Sequence, residues 1–295
     1  MPENKIFKNK SLISIMLAIS VLINLICGSI IAYAGEITPL SGWGSTGIPD
    51  ALRGIERKTF FSAANNCEIS YTIGLPKEYR TNPSKRYPVI YVFSGSGGDD
   101  TAAGNPAASL YDAGASASLP PMIMVGVHIN GGYGFDEPYA NPPKYPAKAF
   151  IEELIPYIDA NYRTIPTAYG RALEGFSAGG MASMRFLMEH PDMFISVNTK
   201  AGAFRNYQEM REKGGYNIDK NNQTEFLKYD VYELAKKNYQ TLIDHHTKIY
   251  LNCGEADQTY YLNVRLANLL TELGVPYGFN VIPYWTHASS YSNLN

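Results

Sequence analysis

The segment Gly175-Phe176-Ser177-Ala178-Gly179 places a serine between two glycines at G-x-S-x-G spacing. A serine hydroxyl is a weak nucleophile until a base takes its proton, and the base needs a carboxylate to orient it. A nucleophile on a sharp turn from strand to helix sits in strained backbone, so the residues two before and two after it must be tiny. Gly175 and Gly179 meet that need. Arg171-Ala-Leu-Glu174 reads as the short strand before the turn. Met181, Met184, Phe186, Leu187 and Met188 read as the helix after it, ending near His190-Pro191. Such a helix aims its first amides and its dipole at Ser177.

For a nucleophile on this kind of turn, the acid and then the base follow in chain order, on loops after late strands. Of the histidines after Ser177, His190 stands at a helix end and His245-His246 close a polar segment. His287 alone follows the final apolar run, in Tyr284-Trp-Thr-His287. The acid is sought in Lys248-Ile-Tyr-Leu-Asn-Cys-Gly-Glu-Ala-Asp257, which runs from strand into loop. Asp257 leads because Gly254 permits the turn and the short side chain lets the backbone set its geometry; Glu255 is the fallback. Asp230 and Asp244 lack a supporting strand. An oxyanion would need preorganised amides. Ala178 N–H follows the nucleophile, and Phe93-Ser-Gly-Ser-Gly-Gly98 supplies a turn after a strand, with Ser96 N–H as the second donor and Gly95 or Gly97 as alternatives. The same turn lacks the lysine of a P-loop and the G-x-G-x-x-G of a dinucleotide site.

Positioning these groups requires a sheet. Cys67 to Leu75 alternates apolar and polar residues, as an amphipathic strand near a sheet edge does. Pro88–Phe93 and Met122–Val127 are continuous apolar runs, expected of strands covered on both faces in a parallel sheet. Lys248–Cys253 and Tyr277–Tyr284 complete the strand series. Helices are expected from about Lys148 to Tyr162 despite Pro156, across Met181–Met188, and from Leu262 to Leu273 closed by Gly274. Strands alternating with helices define an α/β fold with a mostly parallel central sheet and helices on both faces. Arg205 to Thr247, rich in Asn, Lys, Glu and Tyr, reads as a helical insertion over the carboxyl edge and the active site. The expected organisation is a leader over residues 35–58 and one catalytic domain over 59–295.

The N-terminus carries Lys5, Lys8 and Lys10, then a mainly apolar stretch from Leu12 to Ile31, then Ala32-Tyr33-Ala34. This is the pattern of an export signal over residues 1–34, cleaved before Gly35. The alternative is a retained membrane anchor, the one membrane contact expected. Lys+Arg 25 against Asp+Glu 27 gives a net charge of −2. Losing the signal makes the chain more acidic still, so it has no electrostatic footprint for nucleic acid. Beyond the signal only Cys67 and Cys253 remain, enough for one disulfide but too few for a disulfide framework, and they read as buried free thiols in preference to a pair. Neither they nor the vicinal His245-His246 form a metal site, and no cofactor is expected. The 23 tyrosines suit half-wet ligand surfaces. Asn130–Asp136, Tyr207, Tyr216 and Tyr229 are candidates for an aromatic or sugar subsite.

The chain resembles the Esterase family of α/β-hydrolases, which includes feruloyl and acetylxylan esterases, esterase D/S-formylglutathione hydrolases and mycolyltransferases. The likeness spans roughly Phe60 to His287. It rests on Arg86–Gly98, Glu153–Arg163, Gly175–Gly180, His190-Pro-Asp-Met-Phe194 and Cys253-Gly-Glu-Ala-Asp257. The resemblance implies an α/β-hydrolase with Ser177, Asp257 and His287 as its triad. Three departures stand out. Ser94 replaces the usual histidine before the oxyanion glycine, Tyr284-Trp-Thr replaces a Gly-Gly-x approach to the base, and the customary C-terminal helix is missing or reduced.

The combined expectation is a secreted serine carboxylesterase, acting through an acyl-enzyme on ester substituents of plant cell-wall polysaccharide, as feruloyl or acetylxylan esterases do. Its rivals are an extracellular acyltransferase of the mycolyltransferase type and an inactive carbohydrate-binding protein on the same scaffold.

Overall fold

The computed structural model places eight strands in one sheet, most of them on the apolar and β-branched runs of the sequence. It describes residues 55–100, 120–130, 132–213 and 223–288, all within the unit Pro39–Asn295. Residues 1–34, where the export signal is expected, lie outside the described residues, as does Tyr216.

The strands are β1 (Ile55–Ser62), β2 (Cys67–Gly74), β3 (Val89–Phe93), β4 (Ile123–Val127), β5 (Arg171–Phe176), β6 (Ser196–Lys200), β7 (Lys248–Gly254) and β8 (Tyr277–Ile282). Their order is β1-β2-β4-β3-β5-β6-β7-β8. β1, β2 and β4 pair antiparallel, and every pair from β4 to β8 is parallel. Two strands depart from expectation. β1 begins at Ile55, inside the segment read as a leader, and takes the sheet edge from β2. Its charged Glu56, Arg57 and Lys58 suit an edge and hide it from an apolar-run search. β6, Ser-Val-Asn-Thr-Lys, is likewise too polar to register as a buried strand, although it lies between β5 and β7.

The helix expected over 148–162 is present as α1 (Pro146–Lys148), a π-helical turn (Ala149–Leu154) and α2 (Ile155–Asn161). Pro156 has no N–H, and its ring would clash with the carbonyl of Glu152 in a regular α-helix. The wider turn, in which Ile155 N–H donates to the carbonyl of Phe150, accommodates it. The other helices are α3 (Ala178–Glu189), α4 (Tyr207–Lys213), α5 (Gln223–Leu227), α6 (Val231–Asp244) and α7 (Tyr260–Glu272).

Helices and sheet share one main core. Tyr91 and Phe93 on β3 meet Phe150 edge-on, and Phe93 also meets Phe186 of α3. Among the described residues the helices gather on this face. The opposite face carries a small cluster of Val92 and Met124 with Ile55 and Ile90, and residues 101–119, which link β3 to β4, are not described. The segment read as an insertion divides. α6 buries Val231, Leu234, Ala235 and Leu242 in the main core and delivers the chain to β7, so it is the crossover helix of a parallel β-α-β unit. Asp230 caps α6 by accepting hydrogen bonds from the amides of Tyr232 and Glu233. Asp230→Ala is expected to cost about 1 kcal/mol of stability and Asp230→Asn much less, read by denaturant unfolding.

Candidate active site

Three loops at the carboxyl edge of the sheet build the site. The first is the turn from β5 to α3, where Ser177 holds φ 54° and ψ −114°. Its N–H donates to the carbonyl of Lys200 at the end of β6, and its carbonyl accepts from Ala203 N–H, so both sides of the strained residue are tied to β6 and the segment that follows it. A Cβ on Gly175 would lie 2.1 Å from the carbonyl oxygen of Gly179. One on Gly179 would lie 2.3 Å from that of Ser94 and 2.4 Å from that of Phe93. No rotation of a side chain relieves such contacts, because the obstacle is backbone.

The second and third loops follow β7 and β8 and are joined to each other. Glu255 N–H donates to the carbonyl of Ile282, and Ala256 N–H donates to that of Trp285. Trp285 comes so close that a Cβ on Gly254 would lie 2.1 Å from its carbonyl oxygen. Tyr284, at φ 64°, turns the chain back toward β7.

This pairing brings His287 between the other two groups. Its Nδ1 lies 2.9 and 3.0 Å from the two carboxylate oxygens of Asp257, and its Nε2 lies 3.0 Å from Ser177 Oγ. Asp257 is buried, whereas the His287 side chain is 27 % exposed and reachable from solvent. Burial alone would raise the Asp257 carboxyl; hydrogen bonds from His287, the Thr259 amide and the Thr259 hydroxyl outweigh it and hold the group below its usual range. Nδ1–H facing Asp257 leaves Nε2 with a lone pair toward the serine, the tautomer that a general base requires.

Of the residues singled out from the sequence, Ser177, Asp257 and His287 come together. Glu255 turns its side chain outward to solvent. His190 caps the far end of α3, about 18 Å of helix away from Ser177, and His245 closes α6 with its Nδ1 against the carbonyl of Pro191. Ala178 opens α3 beside the nucleophile. The glycine turn runs alongside: Gly98 N–H donates to the carbonyl of Gly95 across Ser96 and Gly97, and a Cβ on Gly95 would lie 3.6 Å from that of Ser177. Ser94 is buried, and its Oγ has no hydrogen-bond partner among the described residues.

Two supporting residues escaped the sequence reading. Thr259 donates both its amide and its hydroxyl to one oxygen of Asp257, each at 2.8 Å. The Asp-x-Thr spacing of an Asx turn was the readable signal. Phe176 lies with its ring 4.8 Å from that of His287, a contact that no local pattern announces. Of the rings expected at an aromatic or sugar subsite, Tyr133 and Phe135 are buried and serve the core, whereas Tyr207 and Tyr229 are half-buried, packing on Phe226 and Phe135 with part of each residue left exposed.

No disulfide joins Cys67 to Cys253; both thiols are buried. Burial, with the Asp257 charge nearby, pushes the Cys253 thiol up to about 12, so it stays protonated. Among the described residues no group of three His, Cys, Asp or Glu side chains could hold a metal ion, and no helix is long and apolar enough to cross a membrane.

Comparison with known proteins places the chain in context. The profile of the Esterase family matches residues 62–273. Esterase MT1326 of Mycobacterium tuberculosis is 32 % identical over 134 residues, covering 43 % of this chain and 28 % of that protein. An endo-1,4-beta-xylanase/feruloyl esterase of Xylanibacter ruminicola is 29 % identical over 150 residues, covering 48 % of this chain and 20 % of that one. The chain thus spans less than a third of either relative. A solved ferulic acid esterase superposes with a TM-score of 0.68 at 23 % identity, covering 80 % of this chain and 92 % of that one. The fold is that of the α/β-hydrolases.

Two outcomes test the site's construction. Gly254→Ala is expected to push the β8 loop off β7 and lower kcat more than it lowers stability, measured by ester turnover beside thermal unfolding. Because the native Asp257 carboxyl lies below its unfolded value, it contributes stability that is fully present above about pH 4 and lost as pH falls through the native value. Asp257→Asn is therefore expected to flatten the acid limb of a stability-against-pH curve.

Proposed function

Since the chain belongs to the Esterase family, we propose that it is a serine carboxylesterase working through an acyl-enzyme. The observation that carries this reading is the single imidazole held between Ser177 Oγ and the Asp257 carboxylate. In this mechanism His287 Nε2 takes the Ser177 proton as Oγ attacks the ester carbonyl. Asp257 keeps the ring in the productive tautomer and stabilises the imidazolium that forms. The amides of Ala178 and Ser96 receive the oxyanion. The imidazolium then gives its proton to the departing alcohol, leaving the acyl group on Ser177. Water, deprotonated by the same nitrogen, releases the acid.

For substrate we propose ester substituents of plant cell-wall polysaccharide, of the feruloyl or acetylxylan type. Supporting this choice are the relative named endo-1,4-beta-xylanase/feruloyl esterase and the likeness in fold to a ferulic acid esterase. The N-terminal lysines, apolar stretch and Ala32-Tyr33-Ala34 support export, which would give the enzyme access to such polymers. N-terminal sequencing of the processed protein, beginning at Gly35, is the expected outcome for a cleaved signal.

Turnover of methyl ferulate, acetylated xylan and p-nitrophenyl esters of rising chain length tests the substrate. Activity on methyl ferulate or acetylated xylan is expected, and a preference for long acyl chains without either would overturn the assignment. Ser177→Ala is expected to abolish turnover, and Asp257→Asn to lower kcat by about 10⁴-fold, the magnitude seen when the orienting carboxylate of a serine protease triad is neutralised.

A further inference from the structure

The turn that carries Ser96 hangs between two anchors. At its start Phe93 is fixed in β3, between β4 and β5. At its end Asp100, two residues past Gly98, is wholly buried, and its carboxylate is gripped by side chains from the hairpin at the far edge of the sheet. Arg57 on β1 donates from Nε to one carboxylate oxygen at 3.1 Å and from Nη2 to the other at 2.7 Å. Ser70 on β2 donates to Asp100 at 2.9 Å and accepts from Arg57 Nη2 at 3.1 Å. Thr72, the register partner of Arg57, donates its hydroxyl to the backbone carbonyl of Asp100 at 2.9 Å. Side chain and main chain of one residue are thus held at once, which fixes the position and the orientation of the peptide that follows the glycine turn.

A buried ion pair is a poor device for stability alone, since desolvation consumes much of its attraction and an apolar pair of similar volume would serve. Its forked geometry does specify position, because a guanidinium gripping a carboxylate at two points tolerates little displacement. The turn needs that precision. Gly95 lies against Phe176 and Ser177, so a shift of its far end changes where the Ser96 amide points.

We propose that Arg57 and Asp100 are positioning residues for the oxyanion site: their ion pair, seated on Ser70 and Thr72, sets the distance from the Ser96 amide to the carbonyl under attack at Ser177. The proposal rests on the esterase reading above and makes the β1–β2 hairpin, otherwise a sheet edge remote from the chemistry, part of the catalytic geometry. Donors placed for the transition state matter more to kcat than to substrate binding.

The test compares wild type with Arg57→Ala, Arg57→Lys and Asp100→Asn on p-nitrophenyl acetate, each with its folded fraction measured by thermal unfolding. Expected is a fall in kcat of roughly 10- to 100-fold, as for an ångström-scale misplacement, with KM within about twofold of wild type. Arg57→Ala should regain kcat with millimolar methylguanidinium at an unchanged folded fraction, whereas a merely structural defect would regain activity only as the folded fraction rises. The isosteric Asp100→Asn and the charge-preserving Arg57→Lys keep the test open if Arg57→Ala fails to fold. Unchanged kcat in a folded variant would overturn the proposal, as would a loss that tracks the folded fraction alone. The esterase reading fails separately, if wild type shows no turnover that Ser177→Ala removes.

Discussion

At Ser177 the backbone adopts a left-handed conformation that L side chains rarely hold, and three neighbouring peptides make it possible by approaching closer than any Cβ would allow. Gly175 meets the carbonyl of Gly179, and Gly179 meets the carbonyls of Phe93 and Ser94. The nucleophile turn is therefore wedged against the end of β3, and the glycine turn that continues from β3 lies beside the serine. A serine lifted off the sheet in this way is exposed to an incoming carbonyl, with the first amides of α3 behind it. Strain of this kind costs of order 1–3 kcal/mol and persists only where the surroundings over-determine it; here the hydrogen bonds from Ser177 N–H to Lys200 and from Ala203 to the Ser177 carbonyl do so.

The parallel sheet then solves the remaining problem, which is to bring residues 110 positions apart in sequence to one point. Parallel strands end on the same edge, so the loops after β5, β7 and β8 emerge together. The β7 and β8 loops are cross-linked by backbone hydrogen bonds through Trp285 and Ile282, and Asp257 and His287 ride on that joined pair. Thr259 and Phe176 narrow the motion that remains, one by binding the carboxylate and the other by lying along the imidazole. The single acidic group needs no metal or second carboxylate to stay charged, because three hydrogen bonds offset its burial.

Much of this was readable from residue order. The glycines around Ser177, the apolar runs of β3 and β4, and a histidine after the last strand point to the fold and to three groups that converge. What stayed hidden shares one physical cause. β1 and β6 form strands through pairing with neighbours rather than through their own apolar content, so Glu56–Lys58 and Asn198–Lys200 conceal them. Tyr133 in the loop after β4 looks like a ligand group by composition, as do Tyr207 and Tyr229 further along the chain, but tertiary packing buries the first and sets the other two, half-buried, against the core. Contacts such as Phe176 with His287, or Trp285 over Gly254, join segments that local patterns treat as independent.

The central claim is that His287, oriented by Asp257, activates Ser177, and its most direct test is the rate and site of phosphonylation by a fluorophosphonate, followed by mass spectrometry of the digested protein. The expected result is one adduct, on the peptide bearing Ser177, formed rapidly by wild type and far more slowly by His287→Ala and Asp257→Asn, both folded. An adduct on another residue, no adduct at all, or equal rates in the three proteins would contradict it.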